Sequence, residues 1–121
     1  MKTCVVVDDS SVIRKVARVV LEGLGFQVAE AENGETALTL CREQMPDGVL
    51  LDWEMPVMGG HEFLVQLRQL PGGDAPRVVF LVTENDVAQI ARAYRAGANE
   101  CLLKPFDREL MTEKFREVGL V

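Results

Sequence analysis

The stretch Cys4-Val5-Val6-Val7-Asp8-Asp9 decides the fold, because four apolar residues in succession end abruptly on two carboxylates. Three other continuous apolar runs follow in the chain: residues 48–51 (GVLL), 77–82 (RVVFLV) and 101–103 (CLL). Continuous runs of this length are typical of strands buried on both faces of a sheet. Residues 27–31 (QVAEA) alternate instead, which favours an edge strand or a strand with one solvated face. We therefore expect five strands.

Segments with helical periodicity separate these runs. The first begins after Ser10 or Ser11, which are suitable N-cap residues, and stops at Gly25. The others are expected over about residues 34–44 after Asn33, over 61–70, from Val87 to Ala96-Gly97, and after the cap Asp107. The alternation of strands and helices implies right-handed crossovers and a parallel sheet with helices on both faces. We predict a doubly wound α/β sandwich.

Length and composition bound the function. The chain has 121 residues and a formal net charge of −6, which indicates one domain over residues 1–121 and argues against a general nucleic-acid-binding protein. The apolar stretch near the N-terminus is too short for a signal peptide or a membrane span, so we expect a cytoplasmic protein without membrane insertion. The cysteines Cys4, Cys41 and Cys101 are expected to be reduced core residues.

Polar residues follow four of the predicted strands at the point where each strand ends. In a doubly wound sheet, ligands bind beyond the carboxyl ends of the strands. The residues at these ends are Asp8, Asp9, Asp52, Thr83 and Lys104. We expect them to meet at one edge of the sheet.

This set of side chains predicts a particular chemistry. Neighbouring carboxylates repel each other, and a hard divalent cation relieves the repulsion; with oxygen ligands the expected ion is Mg²⁺, or Mn²⁺. Asp52 could act as a nucleophile, and Lys104 and Thr83 could bind anionic oxygens attached to it. Purely structural alternatives remain: Asp8 and Asp9 or Thr83 as helix caps, and Lys104 in a surface ion pair.

Four motifs carry a family resemblance. The segments VVVDDSSVIRKV, LLDWEMPVMGG, LVTEND and CLLKPF resemble the receiver domain of bacterial two-component response regulators, particularly the single-domain CheY-like chemotaxis regulators. The resemblance spans the whole chain. It implies a five-stranded parallel sheet in the flavodoxin-like order 2-1-3-4-5. It also implies a signalling switch without an output domain, which catalyses only its own phosphorylation and dephosphorylation and is not otherwise an enzyme.

The resemblance assigns roles to the residues at the strand ends. Asp52 would accept a phosphoryl group from a phosphohistidine of a sensor histidine kinase or a histidine phosphotransfer protein. Mg²⁺ would be held by Asp9, Asp52 and the backbone carbonyl of Glu54, with Asp8 helping directly or through water. Thr83 and Lys104 would bind the phosphoryl oxygens. A downstream protein would contact the surface formed by the fourth helix, fifth strand and fifth helix.

Two positions depart from the family pattern. The family has an aromatic switch residue three positions before the lysine, and this chain has Cys101 there, so another element, the loop 83–86 or Tyr94, would have to carry the signal. The residue after Thr83 is usually small in the family and is Glu84 here. Glu54 and Glu84 are therefore expected to alter the phosphoryl lifetime and the affinity for Mg²⁺.

Other functions stay open at this point. They are a phosphorelay shuttle, a degenerate receiver that acts as a constitutive interaction module, and a Mg²⁺-dependent aspartyl phosphohydrolase. A flavin-binding module is disfavoured because Asp8 and Asp9 would repel a flavin phosphate. His61 and the basic residues of the first and fourth helices are expected to be solvated: Arg14, Lys15, Arg18, Arg92 and Arg95.

Overall fold

The computed structural model describes residues 1–83 and 86–121, in which five strands alternate with five helices along the chain. The strands are β1 (Thr3–Val7), β2 (Gln27–Ala31), β3 (Gly48–Asp52), β4 (Arg77–Val82) and β5 (Glu100–Leu103). The helices are α1 (Ser11–Gly23), α2 (Gly34–Glu43), α3 (Gly60–Gln69), α4 (Val87–Arg95) and α5 (Arg108–Glu117).

All strand pairs are parallel, and the sheet has the order β2-β1-β3-β4-β5. This confirms the predicted doubly wound sandwich and its strand order. β3 is the central strand, and its five residues are all buried, as the continuous apolar run indicated. β2 lies at one edge of the sheet with a partly exposed pattern, in agreement with its alternating sequence.

The prediction for residues 101–103 was wrong in one respect. β5 forms the second edge of the sheet and is not buried on both faces: Leu103 is 48% exposed, and Cys101 is half-buried. A run of three apolar residues covers too little chain to reveal whether a strand has one neighbour or two. Leu102 is the residue of this run that points fully into the core.

The helices cover both faces of the sheet. α1 and α5 pack on one face through residues such as Leu21 and Phe115, whereas α2, α3 and α4 pack on the other through residues such as Leu38, Phe63 and Ala93. Within the described part of the chain, no helix combines the length and the apolar character that a membrane crossing requires.

The helix caps settle two of the structural alternatives. Ser10 is the N-cap of α1 and accepts a hydrogen bond from the backbone N–H of Ile13 at 3.3 Å. Asp86 is the N-cap of α4. Neither Asp8 and Asp9 nor Thr83 is therefore the N-cap of the helix that follows it.

Candidate functional site

Four strand ends converge on one cavity at the carboxyl edge of the sheet. The cavity has a volume of about 210 Å³. Among the predicted site residues, Asp9, Asp52, Glu54, Thr83 and Lys104 line it. The parallel topology explains the convergence, because the carboxyl ends of parallel strands face the same way and β1, β3, β4 and β5 are consecutive neighbours.

Three carboxylates cluster at the site. Asp8, Asp9 and Asp52 each offer an oxygen atom, and the three atoms lie within 4.8 Å of one another. Asp8 is fully buried and Asp52 is 6% exposed, while Asp9 faces solvent. Buried like charges at this separation repel strongly unless a cation lies among them. An all-oxygen set with one solvated member suits Mg²⁺, which keeps several water ligands.

Lys104 supplies the positive charge of the site. Its Nζ donates to Oδ2 of Asp8 at 2.8 Å and to Oδ1 of Asp52 at 3.3 Å. Partial burial alone would lower the pKa of Lys104, but the bond to Asp8 and the charge of Asp52 outweigh burial and raise it. Lys104 is thus a permanently charged bridge inside the site, with its side chain only 16% exposed, and not half of a solvated surface pair.

The acidity of Asp52 is perturbed by its surroundings. Burial raises its pKa to about 6, the charge of Asp8 acts in the same direction, and Lys104 partly opposes both. Asp52 therefore remains largely ionised at neutral pH, as a nucleophilic oxygen requires.

Asp8 is held in place on all sides. Its Oδ1 accepts from the backbone N–H of Ser10 at 2.9 Å, its Oδ2 accepts from Lys104, and its own N–H donates to Ala31 on β2 at 3.1 Å. Both carboxylate oxygens thus have donors before any ion binds. This arrangement favours an indirect contribution to metal binding, with Asp9 and Asp52 nearer to the solvent.

Two further predicted residues, Thr83 and Glu54, lie at the rim of the site. Thr83 is exposed at the end of β4 and lines the cavity, as does the exposed Glu54 after β3. Glu84 lies outside the described residues. His61 is exposed, as expected, and its ring packs edge-on against Trp53 with 5.5 Å between centroids.

Gln89 lines the cavity but was not predicted from the sequence. It sits in the first turn of α4, and nothing in its sequence neighbourhood indicates that this turn lies over the ends of β3 and β4. Trp53 also lines the cavity, is 8% exposed, and packs against Phe80. The indole is therefore placed to report on events at the neighbouring Asp52.

An aromatic side chain does approach Cys101, but it comes from α4. Cys101 pairs with Phe80 in the sheet register. Tyr94 packs edge-on against Phe80 with 5.6 Å between centroids, and its hydroxyl donates to Glu100 at 2.9 Å. The side chain at position 101 is therefore small, and a tyrosine from α4 packs beside it.

The basic residues of α1 do not all behave as expected. Lys15 is exposed, but the Arg14 side chain is only 17% exposed and binds Glu30 on β2, as does Arg18. Arg14 and Arg18 lie on the side of the helix that faces β2, where Glu30 attracts them. Arg92 and Arg95 on α4 are exposed, as predicted.

Comparison with known proteins agrees with the fold. Residues 4–116 match the response regulator receiver domain family. A chemotaxis protein CheY homolog of Campylobacter jejuni is 35% identical over 115 residues, covering 93% of this chain and 88% of that protein. Chemotaxis protein CheY1 of Helicobacter pylori is 33% identical, with 93% of each chain covered.

Solved structures give the same result. The chemotaxis protein CheY4 of Vibrio cholerae superposes with a TM-score of 0.93 at 30% identity, covering 98% of each chain. The match in sequence thus covers residues 4–116, and the similarity in structure extends over the whole sheet. The chain therefore belongs to the response regulator receiver domain family and is a CheY-like receiver domain of a two-component system.

Proposed function

We propose that this receiver accepts a phosphoryl group on Asp52 from a phosphohistidine and signals by contact with another protein. The observation that carries the proposal is that an ionised Asp52, Asp9 and Lys104 line one open cavity, while the buried Asp8 binds Lys104 and lies within the same carboxylate cluster. The donor would be a sensor histidine kinase or a histidine phosphotransfer protein. With such a donor the protein would act in the cytoplasm, where kinases form phosphohistidine from ATP.

The transfer needs little covalent machinery. A carboxylate oxygen of Asp52 attacks phosphorus, a P–O bond forms, and the P–N bond of the donor breaks. The electron pair of that bond goes to the imidazole nitrogen, which takes up a proton. Because charge neutralisation and in-line positioning dominate such transfers, Lys104 and the Thr83 hydroxyl would contribute by binding the equatorial oxygens.

The metal site would be completed by this chain's own oxygen atoms. Asp9, Asp52 and the backbone carbonyl of Glu54 would hold Mg²⁺, and Asp8 would support it directly or through water. The bound ion supplies positive charge against the carboxylates and the incoming phosphoryl group. The chain would catalyse only its own phosphorylation and dephosphorylation.

The exposed side of α1 is a suitable docking surface for the phosphodonor. Val12, Val16 and Val19 are 67%, 47% and 70% exposed and follow the i, i+4, i+7 spacing of one helix face. This apolar stripe starts next to the acidic cluster. An amphipathic helix of the donor, packed along it, would bring a phosphohistidine close to Asp52.

The downstream partner would contact α4, β5 and α5. Tyr94, Leu103 and Leu110, one from each element, are 40%, 48% and 43% exposed. Apolar side chains at this level of exposure, flanked by charged residues, are typical of a transient protein interface. The phosphodonor and the downstream partner would therefore bind different surfaces of the protein.

Fluorescence of Trp53 tests the proposal. Mg²⁺ is added to metal-free protein, followed by beryllofluoride or a small-molecule phosphodonor, and wild type is compared with Asp52→Asn. We expect wild type to respond to both additions and Asp52→Asn to ignore the second. Mg²⁺ at ten times its dissociation constant should also raise the free energy of unfolding of wild type by about 1.4 kcal/mol.

Three outcomes would contradict the proposal. Wild type that ignores Mg²⁺ lacks the metal site. Wild type that binds Mg²⁺ but ignores the phosphodonor is a constitutive interaction module. Sustained turnover of a phosphomonoester would identify an aspartyl phosphohydrolase instead.

A further inference from the structure

The geometry points to Arg14 as a positioning residue of the metal site, which fixes the peptide unit between Asp8 and Asp9. This inference rests on the proposed function, because it concerns the same Mg²⁺ site. Arg14 does not line the cavity, and it does not bind the side chain of any residue expected to hold the ion. It would act through the backbone of the acidic pair.

The contacts of Arg14 form a bridge between α1, β2 and the site. Its Nη1 donates to the backbone carbonyl of Asp8 at 2.7 Å, and its Nε donates to Oε1 of Glu30 at 3.1 Å. The planar guanidinium presents both donors in a fixed relation, so Glu30 on β2 determines where the Nη1 atom lies. The side chain is mostly buried, which limits its other conformations.

Among the described residues, Arg14 is the one donor that binds the backbone carbonyl of Asp8. Ser10 and Lys104 hold the carboxylate, and Ala31 holds the N–H. The carbonyl belongs to the same planar peptide unit as the N–H of Asp9. Fixing that plane fixes the backbone direction from which the exposed Asp9 side chain leaves, and hence where its carboxylate lies relative to Asp52.

Positioning and simple electrostatics predict opposite signs. Arg14 is a cation near a cation site, so loss of its charge alone would strengthen Mg²⁺ binding. Loss of a support that orients ligands weakens metal binding, commonly by tenfold or more. The direction of the change therefore separates the two roles.

Arg18 is a matched control on the same helix. It binds the other oxygen of Glu30, with Nε 2.7 Å from Oε2, and it also approaches Glu22. Arg18→Gln removes the same charge and a bond to the same carboxylate, and it leaves the bond between Arg14 and Asp8 in place.

The experiment is a Mg²⁺ titration of metal-free wild type, Arg14→Gln and Arg18→Gln, followed by Trp53 fluorescence. We expect Arg14→Gln to raise the dissociation constant about tenfold, and Arg18→Gln to change it by less than about twofold. In the metal-free state, the amide resonance of Asp9 should shift more in Arg14→Gln than in Arg18→Gln.

Equal dissociation constants in the two variants, or tighter binding by Arg14→Gln, would overturn the role of Arg14. Wild type that fails to bind Mg²⁺ would instead overturn the proposed function. If urea unfolding shows that Arg14→Gln does not fold, Arg14→Lys keeps the charge but replaces the two-donor fork by a single ammonium group. We expect Arg14→Lys to bind Mg²⁺ more weakly than wild type, and equal affinity would again exclude the proposed bridge.

Discussion

The hydroxyl of Tyr94 donates a hydrogen bond to Oε1 of Glu100 at 2.9 Å, and this contact joins α4 to β5 beside Cys101. The same oxygen accepts the backbone N–H of Cys101 at 3.0 Å and lies 3.8 Å from Nζ of Lys114 on α5. Burial opposes ionisation of Glu100, but these donors outweigh it and lower its pKa. Burial and the bond to Glu100 raise the pKa of Tyr94. Three elements of the proposed output surface thus meet at one carboxylate.

The Tyr94 contact should be measurable as a coupling energy. Tyr94→Phe and Glu100→Gln should each lower the free energy of unfolding, and the double variant should lose less than the sum of the two. We expect a coupling of about 0.5–1 kcal/mol, because Tyr94 is partly exposed. A double-mutant cycle by urea unfolding measures it, and strict additivity would show that the hydrogen bond does not link α4 to β5.

Asp52→Asn should stabilise the metal-free protein in a pH-dependent way. The folded-state pKa of about 6 lies above the ordinary value of 3.8, so the wild-type carboxyl stabilises the fold below about pH 4 and loses that contribution as the pH rises through 6. The amide has no charge to desolvate. Asp52→Asn should therefore be more stable than wild type by about 3 kcal/mol above pH 7, with no difference near pH 4.

Urea unfolding in a chelator at a series of pH values checks this dependence. Glu62→Gln, which removes an exposed carboxylate on α3, controls for the loss of one negative charge. An advantage of Asp52→Asn that stayed constant from pH 4 to pH 8 would exclude burial of the charge as its cause.

Arg68 should be the strongest polar support at the opposite end of the sheet. Its guanidinium donates to the carbonyls of Gly73, Pro76 and Gly97 and to the side chain of Asn99. Arg68→Met would remove the donor from the three carbonyls, whereas Oδ1 of Asn99 would keep the N–H of Val78. We therefore expect a loss of about 3 kcal/mol in the free energy of unfolding. Arg77→Met, at an exposed position near by, should change it by less than about 0.5 kcal/mol.

The Mg²⁺ affinity distinguishes this support from the site itself. Arg68 lies at the amino ends of the strands, away from the acidic cluster. Arg68→Met should therefore keep the dissociation constant of wild type under conditions in which it is folded. A large loss of affinity in the folded variant would mean that the two ends of the sheet are coupled.

Replacement of Val57 by glycine should stabilise the protein. It has a φ of 68°, and the N–H of Met58 donates to the carbonyl of Pro56 at 2.8 Å across it, which together define a strained γ-turn. A β-branched residue in this region stores about 1–3 kcal/mol of strain. After the entropy cost of glycine in the unfolded chain, Val57→Gly should raise the free energy of unfolding by about 1 kcal/mol.

A second valine provides the comparison for this variant. Val65 on α3 is partly exposed in a helix interior, where glycine should cost about 1 kcal/mol. Thermal unfolding of the two variants should therefore give shifts of opposite sign. Similar losses in both would argue that the turn at Val57 is not strained.

The sequence predicts those features that depend on strand order and strand ends. Asp52, Thr83 and Lys104 are predictable as neighbours because each follows a strand of one parallel sheet, and the carboxyl ends of such strands share an edge. The same reasoning predicts the place of the cavity. It needs no knowledge of side-chain conformation.

Features that depend on the reach of side chains between elements were not predictable. The fork from Arg14 to Asp8 and Glu30 requires the rotation of α1 over β2, and Gln89 requires the placement of α4 over the strand ends. The exposure of Leu103 was missed because residues 101–103 are all apolar, although β5 has a neighbouring strand on one side only. In each case the missing information is the orientation of one packed element relative to another, which the residue pattern within a single element does not contain.

The three cysteines leave the native protein with a single thiol suited to labelling. Cys4 and Cys41 are buried, and burial raises their pKa to about 12 and about 11, so neither offers a reactive thiolate near neutral pH. Cys101 is half-buried on β5, next to the tyrosine that comes from α4. A fluorophore or spin label attached there, without any engineered cysteine, would sit on the proposed output surface and read its rearrangement directly.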